Sequence, residues 1–207
     1  MAMINREHKL IYVAHIPRTG GHAVGLASTD HMDRNGPRYN AWHVDWRIAR
    51  DAFGSEAWNT YFKFALVRNP FDLLPSLYYL PNRIAVRKAR PTWKEFVRDP
   101  ILKPTELQTL PQSNIIGPNV DFIIKFENLA ENFEKMLTAA NVPRPYSTLP
   151  PPTNSSDPAC AAPNLSTHGR LPYWEYYTES WMIESVYENF AEDFERFDYD
   201  WAPGSIA

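Results

Sequence analysis

Residues 10–22, LIYVAHIPRTGGH, decide the fold of this chain of 207 residues. Residues 10–16 form a short apolar run with β-branched and aromatic side chains, which predicts a buried strand. Pro17 and the pair Gly20-Gly21 end this strand, and residues 23–28 predict the start of a helix. A strand, a glycine turn and a helix in this order are typical of α/β proteins.

Two further pairs of a strand and a helix follow along the chain. Residues 61–67 (YFKFALV) predict a strand before a helix at 71–80, and residues 121–126 (DFIIKF) predict a strand before a helix at 127–140. Residues 178–196 predict a last, amphipathic helix. Because each strand is apolar throughout, the pattern predicts a parallel sheet covered on both sides by helices. The predicted fold class is therefore α/β, a three-layer sandwich with a central parallel sheet.

The composition favours one domain, residues 1–207, with a proline-rich excursion at 141–163. The chain has 44% hydrophobic residues, enough for a sizeable core, and a formal net charge of −3. A general nucleic-acid binder carries a basic excess, so we expect no nucleic-acid partner.

The sequence also gives an expectation for the compartment. Residues 1–10 lack a signal-peptide pattern, and no apolar run approaches the ~20 residues that a membrane span needs. The single cysteine, Cys160, cannot form an internal disulfide, which fits a reducing compartment. We therefore expect a cytoplasmic protein without a membrane segment, and the oligomeric state is not predicted.

The turn after the first strand has several features of an anion-binding site. Gly20 and Gly21 permit a tight turn and a close approach of the backbone to a ligand. The following helix offers unpaired N–H groups and the positive end of its dipole, while Arg18 adds a cation and Thr19 a hydroxyl donor. The turn follows a predicted parallel strand, and open α/β sheets bind ligands at that end. Alone, it fits an anion site and a plain structural turn equally well.

A second anion-binding feature follows the second strand. Arg68 comes directly after this strand and can present a planar fork to a phosphate, and Ser76 in the next helix adds a hydroxyl donor. Two anion sites at neighbouring strand ends suit a nucleotide with two separated phosphates. The Gly-x4-Gly-Lys-Ser/Thr loop of nucleotide triphosphatases is absent, which disfavours a conventional ATPase or GTPase.

Four segments resemble the Golgi-type carbohydrate sulfotransferases and occur in that family's order. They are residues 15–21 (HIPRTGG), similar to the 5′-phosphosulfate loop I-P-K-T-G-G; residues 64–72 (FALVRNPFD) with Ser76 and Tyr78, similar to the 3′-phosphate segment; residues 121–129 (DFIIKFENL); and the closing helix, residues 178–199. Within that family the sequence is most similar to the uronosyl O-sulfotransferases.

The resemblance implies a P-loop NTPase-like sulfotransferase fold. It also implies transfer of a sulfuryl group from 3′-phosphoadenosine 5′-phosphosulfate (PAPS), with adenosine 3′,5′-bisphosphate as the product. The implied cofactor-binding residues are Arg18, Thr19, Gly20, Gly21, His22, Ala23, Arg68 and Ser76. Arg18 stands where the family has lysine; arginine keeps the charge that stabilises the leaving phosphate but is a poor proton donor. We therefore expect Arg18 to be catalytic through its charge alone.

The acceptor side needs a base that takes a proton near neutral pH. Of the six histidines, His43 is the first candidate, because its segment resembles the His-Val stretch of the uronosyl enzymes. His22 is predicted to line the phosphosulfate site, and Arg170, before the last helix, to contact the cofactor. Gln108 and Gln112 are hypothetical hydrogen-bond partners of the acceptor. No residues have the spacing of a zinc site, so no metal is predicted.

The predicted acceptor is a glycan or another small molecule with a hydroxyl group, with an amine as the less favoured case. A basic stretch, residues 83–98, is either a solvated helix face or a surface that attracts an acidic sugar. Two alternatives stay open. A non-catalytic nucleotide-binding module of the same fold would explain the unusual Arg18 and His22. An atypical P-loop kinase is disfavoured because Ala23 lacks a hydroxyl that would help to hold magnesium.

Overall fold

A computed structural model describes residues 2–21, 23–24, 45–78, 92–98, 111–143 and 172–200. Its four strands form one sheet in the order β1-β2-β3-β4, with bounds β1 Met3–Asn5, β2 Leu10–Tyr12, β3 Phe62–Val67 and β4 Phe122–Lys125. Strands β2, β3 and β4 run parallel, whereas β1 pairs antiparallel with β2. The predicted α/β class with a central parallel sheet is confirmed, and the antiparallel edge strand is an addition.

The helices are α1 Trp46–Phe53, α2 Ser55–Thr60, α3 Pro70–Tyr78, α4 Trp93–Arg98, α5 Gln112–Ile116, α6 Leu129–Ala139 and α7 Ser180–Phe197. Short 3-10 helices occupy Phe126–Asn128 and Tyr173–Tyr176. The first predicted strand is shorter than expected, since β2 ends at Tyr12, although the N–H of Val13 still donates to the Phe64 carbonyl at 3.0 Å. Strands β3 and β4 and helices α6 and α7 agree with their predicted bounds within two residues, and a 3-10 turn precedes α6. Helix α3 begins one residue before its predicted start. Residues 79–80 of that prediction, and residues 25–28 of the first predicted helix, lie outside the described residues.

The chain divides into two compact units, each built from two stretches of sequence. The first unit contains the described residues within 1–68 and 112–151, and the second those within 69–111 and 152–207. The single domain expected from the composition stays a prediction.

The core of the first unit lies between the sheet and helix α6. Phe133, Met136 and Leu137 are buried on one face of α6, as its sequence periodicity predicted. They belong to an apolar cluster with strand residues Leu10, Tyr12, Phe64, Leu66 and Ile124. Burying a side chain of this size stabilises the fold by roughly 1.5–3 kcal/mol. This cluster fixes the sheet whose carboxyl end carries the predicted turn.

The second unit begins with a well-formed helix start. The Asn69 side chain accepts a hydrogen bond from the N–H of Phe71 at 2.9 Å, and its carbonyl accepts from Leu73 at 2.8 Å. Pro70 follows at the first helical position, where its missing N–H costs nothing. The Asn-Pro pair therefore starts helix α3 directly after β3.

Pro75 lies inside α3 and cannot donate a hydrogen bond to the Phe71 carbonyl one turn earlier. The Tyr177 hydroxyl donates to that same carbonyl at 2.8 Å. Burial raises the pKa of Tyr177 well above its ordinary value, so this hydroxyl remains a donor. A side chain 106 residues away thus supplies the hydrogen bond that the proline removes.

Helix α7, in the last stretch of the second unit, packs against α3 and α4. Its predicted apolar face is confirmed, because Met182, Val186, Phe190 and Phe194 are all buried. The helix is kinked at Phe190, whose backbone is not helical. Phe194 packs against Phe71 with ring centroids 5.2 Å apart, which ties α7 to the start of α3.

Candidate functional site

The turn after β2 has an unusual backbone. Arg18 has φ +68°, a left-handed conformation that costs a residue with a side chain about 1–2 kcal/mol. Gly20 has φ +84°, which glycine adopts without that cost. Thr19 between them is fully buried, and its hydroxyl donates to the Ile16 carbonyl at 2.8 Å. The turn is therefore fastened from inside by Thr19, whose predicted contact with the ligand stays a prediction.

The two glycines of the turn also lie too close to other groups to carry a side chain. A Cβ on Gly20 would be 2.8 Å from Leu129 Cδ2. A Cβ on Gly21 would overlap the His15 ring and would be 2.7 Å from the Tyr12 hydroxyl. A side chain at either position would therefore disturb the packing beneath the turn.

A helix begins after the turn, as predicted. Gly21, Ala23 and Val24 have helical backbone, and the N–H of Val24 donates to the Gly20 carbonyl at 3.3 Å. The first N–H groups of a helix have no partner within it and are suited to an anion. Ala23 thus lies in the first turn of this helix, so its N–H, and not its side chain, is the group suited to an anion.

The Tyr12 side chain lies beneath the turn and is fully buried. Burial raises the pKa of its hydroxyl well above the ordinary value. Tyr12 therefore stays neutral and brings no negative charge below a turn predicted to hold an anion.

Arg68 follows the last residue of β3 and is 2% exposed. Its Nη1 donates to the Arg18 carbonyl at 2.9 Å. Its guanidinium also lies 4.3 Å from the centre of the Phe126 ring, a cation–π contact. The structure thus brings together two features that were separate in the sequence, the turn after β2 and the arginine after β3.

Gln112, the first residue of α5, holds the backbone of Arg68. Its Oε1 accepts from the Arg68 N–H at 2.9 Å, and its Nε2 donates to the Arg68 carbonyl at 2.7 Å. Gln112 is fully buried and both ends of its amide contact Arg68, and its predicted contact with the acceptor stays a prediction. The contact joins residues 44 apart in the sequence, and no local pattern indicates it.

The remaining predicted residues fall elsewhere. Ser76 is buried on α3 in the second unit, and its predicted action with Arg68 stays a prediction. His22, His43, Arg170 and Gln108 lie outside the described residues.

Two members of the basic stretch are engaged within the second unit. Lys94 pairs with Glu179, and a hydrogen bond from Lys94 is the main cause that lowers the pKa of that carboxyl. The Arg98 guanidinium lies 4.7 Å from the centre of the Trp181 ring. These two cations therefore serve contacts between α4 and the segment that starts α7.

The described residues lack a metal site and a membrane-spanning helix. They contain no cluster of His, Cys, Asp and Glu side chains that would hold a metal ion. None of the described helices combines the length and the apolar character that crossing a bilayer requires.

Comparison with known proteins gives one match. A family model described as "Sulfotransferase family" covers residues 2–200, nearly the whole chain. No curated protein and no solved structure is significantly similar. The match includes the turn after β2, Arg68 and Gln112, and it does not distinguish a uronosyl subtype.

Proposed function

This chain belongs to the sulfotransferase family, and on that premise we propose that it transfers a sulfuryl group from PAPS to a hydroxyl of a carbohydrate or another small acceptor. The observation that carries the proposal is the hydrogen bond from Arg68 Nη1 to the Arg18 carbonyl. It joins the two segments that the sequence assigns to the two ends of one nucleotide. A donor with a 5′-phosphosulfate and a 3′-phosphate suits a site with two such anion-binding features.

The start of the helix after the turn suits the 5′ end of this donor. The positive φ of Gly20 shapes the turn, and the first N–H groups of the helix that begins at Gly21 are suited to an anion. Beneath the turn, the neutral Tyr12 adds no repulsion. In the proposal, these N–H groups and the Arg18 guanidinium hold the 5′-phosphate and its sulfuryl group.

Arg68 is proposed for the 3′-phosphate. Arginine presents its N–H donors in a planar fork that matches a phosphate, and the Nη1 of this fork donates to the Arg18 carbonyl. A buried cation also binds a phosphate more strongly than an exposed one, because solvent screens it less. Its stacking on Phe126 fixes the plane of the fork.

The proposed chemistry is a direct displacement at sulfur. The acceptor oxygen forms a bond to sulfur while the bond from sulfur to the 5′-phosphate oxygen breaks, and His43 takes the acceptor's proton. The Arg18 charge stabilises the leaving phosphate as negative charge builds on it. Since arginine does not give up its proton, the bisphosphate leaves as an anion.

Ligand-induced stabilisation tests the cofactor. We expect adenosine 3′,5′-bisphosphate to raise the melting temperature more than AMP or ATP with magnesium does, because a ligand that binds only the folded state stabilises it. Arg68→Ala should remove this preference. Arg50→Ala is the matched control, because Arg50 is an exposed arginine of α1 whose guanidinium pairs with Asp51. Stabilisation by ATP with magnesium together with none by the bisphosphate would refute the proposal.

A transfer assay separates this proposal from a non-catalytic module. Labelled PAPS and a panel of glycans and small alcohols should give a sulfated product with the wild-type protein. His43→Ala should lose that product and keep its affinity for the bisphosphate. Binding of the bisphosphate without transfer to any acceptor would favour the non-catalytic module.

A further inference from the structure

We propose that Gln112 is a positioning residue for the donor's 3′-phosphate. Its side-chain amide holds the backbone of Arg68 and so directs the Arg68 guanidinium to the turn after β2. The inference rests on the proposed function, because it assumes that Arg68 recognises the 3′-phosphate.

The first step is the place where β3 ends. The ladder between β3 and β4 ends with the pair Val67 and Lys125, so Arg68 is the first residue beyond it. Arg68 is nevertheless buried, and buried backbone groups without partners are costly. Gln112 provides one acceptor at 2.9 Å and one donor at 2.7 Å for this single residue. Its amide thus takes the place of the missing strand neighbour.

The second step is the side chain of Arg68. With N–H and C=O both held, the direction in which the side chain leaves the backbone is fixed. The guanidinium then reaches the Arg18 carbonyl at 2.9 Å and stacks on Phe126 at 4.3 Å. Arg68 is therefore held at both ends, by Gln112 at the backbone and by the turn at the guanidinium.

The third step is what a loss of Gln112 would do to ligands. A released Arg68 backbone would let the guanidinium shift, and its hydrogen bonds to a phosphate would weaken as their distances and angles worsened. Only ligands with a 3′-phosphate would be affected if Arg68 binds that group. A residue that merely stabilised the fold would weaken the bisphosphate and AMP alike.

Three substitutions separate these cases. Gln112→Met has a similar length and makes neither hydrogen bond. Gln112→Glu keeps the acceptor for the Arg68 N–H, loses the donor, and serves as the milder variant if Gln112→Met does not fold. Ile116→Ala is the matched control, since Ile116 is buried on the same helix but its side chain forms no hydrogen bond.

The first measurement is the ratio of the dissociation constants of AMP and adenosine 3′,5′-bisphosphate, by calorimetry on each folded variant. We expect this ratio to fall at least ~10-fold in Gln112→Met, by less in Gln112→Glu, and by under ~2-fold in Ile116→Ala. An unchanged ratio in folded Gln112→Met or Gln112→Glu would overturn the inference. A wild-type protein with no preference for the bisphosphate would instead overturn the proposed function itself.

The second measurement needs no ligand. Amide hydrogen exchange followed by NMR should show the Arg68 N–H protected in the wild-type protein and exchanging at least ~10-fold faster in Gln112→Met. Ile116→Ala should leave its protection relative to neighbouring β3 amides unchanged. If the Arg68 amide stays as protected in Gln112→Met as in the wild-type protein, Gln112 does not hold the Arg68 backbone in solution and the inference fails.

Discussion

The two turns that follow neighbouring parallel strands, residues 17–21 after β2 and residues 68–70 after β3, are held by different means. The first depends on its own backbone, with positive φ at Arg18 and Gly20 and no room for side chains. The second depends on side-chain hydrogen bonds, which join Gln112 with the Arg68 backbone and Asn69 with the N–H of Phe71 at the start of α3. The first turn therefore needs its own glycines, whereas the second needs the side chains of Asn69 and of the distant Gln112.

The difference predicts how each turn fails. A backbone-specified turn is broken by a change in its own glycines, whereas a turn held by side chains is broken from a distance. A turn of the first kind also leaves N–H groups for an anion. One of the second kind instead presents a chosen side chain, here the Arg68 guanidinium.

The largest expected effect is on the first turn, from Gly20→Ala. The change adds left-handed strain of about 1–2 kcal/mol and an overpacking cost of about 1–3 kcal/mol against Leu129, so we expect about 3 kcal/mol of destabilisation. Gly54→Ala is the matched control, because Gly54 has φ +86° and nothing within 4 Å of an added Cβ. Urea unfolding should show only the strain cost there. Equal losses in both variants would mean that crowding does not specify the turn.

The next largest effect is expected in α3, the helix that follows the second turn, where a distant side chain supplies a hydrogen bond. Tyr177→Phe leaves the Phe71 carbonyl without its donor, and we expect a loss of about 1–3 kcal/mol in the free energy of unfolding. In a Pro75→Ala background the helix regains an N–H for that carbonyl, so the loss should shrink to under about 1 kcal/mol. A double-mutant cycle measures this coupling, and additive losses would contradict it.

The smallest expected change in the free energy of unfolding comes from Arg18→Gly. Glycine removes the left-handed strain but loses more chain entropy on folding, so we expect a gain of about 0.5 kcal/mol in stability. Arg18→Ala is the control, because it removes the same charge and keeps the strain. Both variants should lose the proposed transfer activity, by roughly 100-fold, since the leaving phosphate loses its cation. Stability and activity thus move in opposite directions only in the glycine variant.

The sequence predicted what short-range patterns specify. The continuous apolar runs indicated β2, β3 and β4, and the periodicity of residues 127–140 indicated the buried face of α6. The turn at Gly20-Gly21 was indicated by its glycines, and the structure shows why glycine is required there.

The features that sequence reasoning missed join distant residues or are very short. Strand β1 has three residues, too few for a pattern. The hydrogen bonds between Gln112 and Arg68 join residues 44 apart, and a glutamine at the start of a short helix does not indicate its partner. The hydrogen bond from the Tyr177 hydroxyl to the Phe71 carbonyl joins residues 106 apart. No local pattern therefore predicts that a distant side chain replaces the hydrogen bond that Pro75 removes.

The first unit is assembled from two stretches of chain, which has a consequence for synthesis on the ribosome. Strands β1, β2 and β3 emerge before α5, β4 and α6, so one edge of β3 stays unpaired until residues 122–125 are made. An unpaired apolar strand edge invites association with other chains. We therefore expect nascent chains halted before Gln112 to need protection by chaperones. Arg68 should reach the geometry described above only once Gln112 and Phe126 have been made.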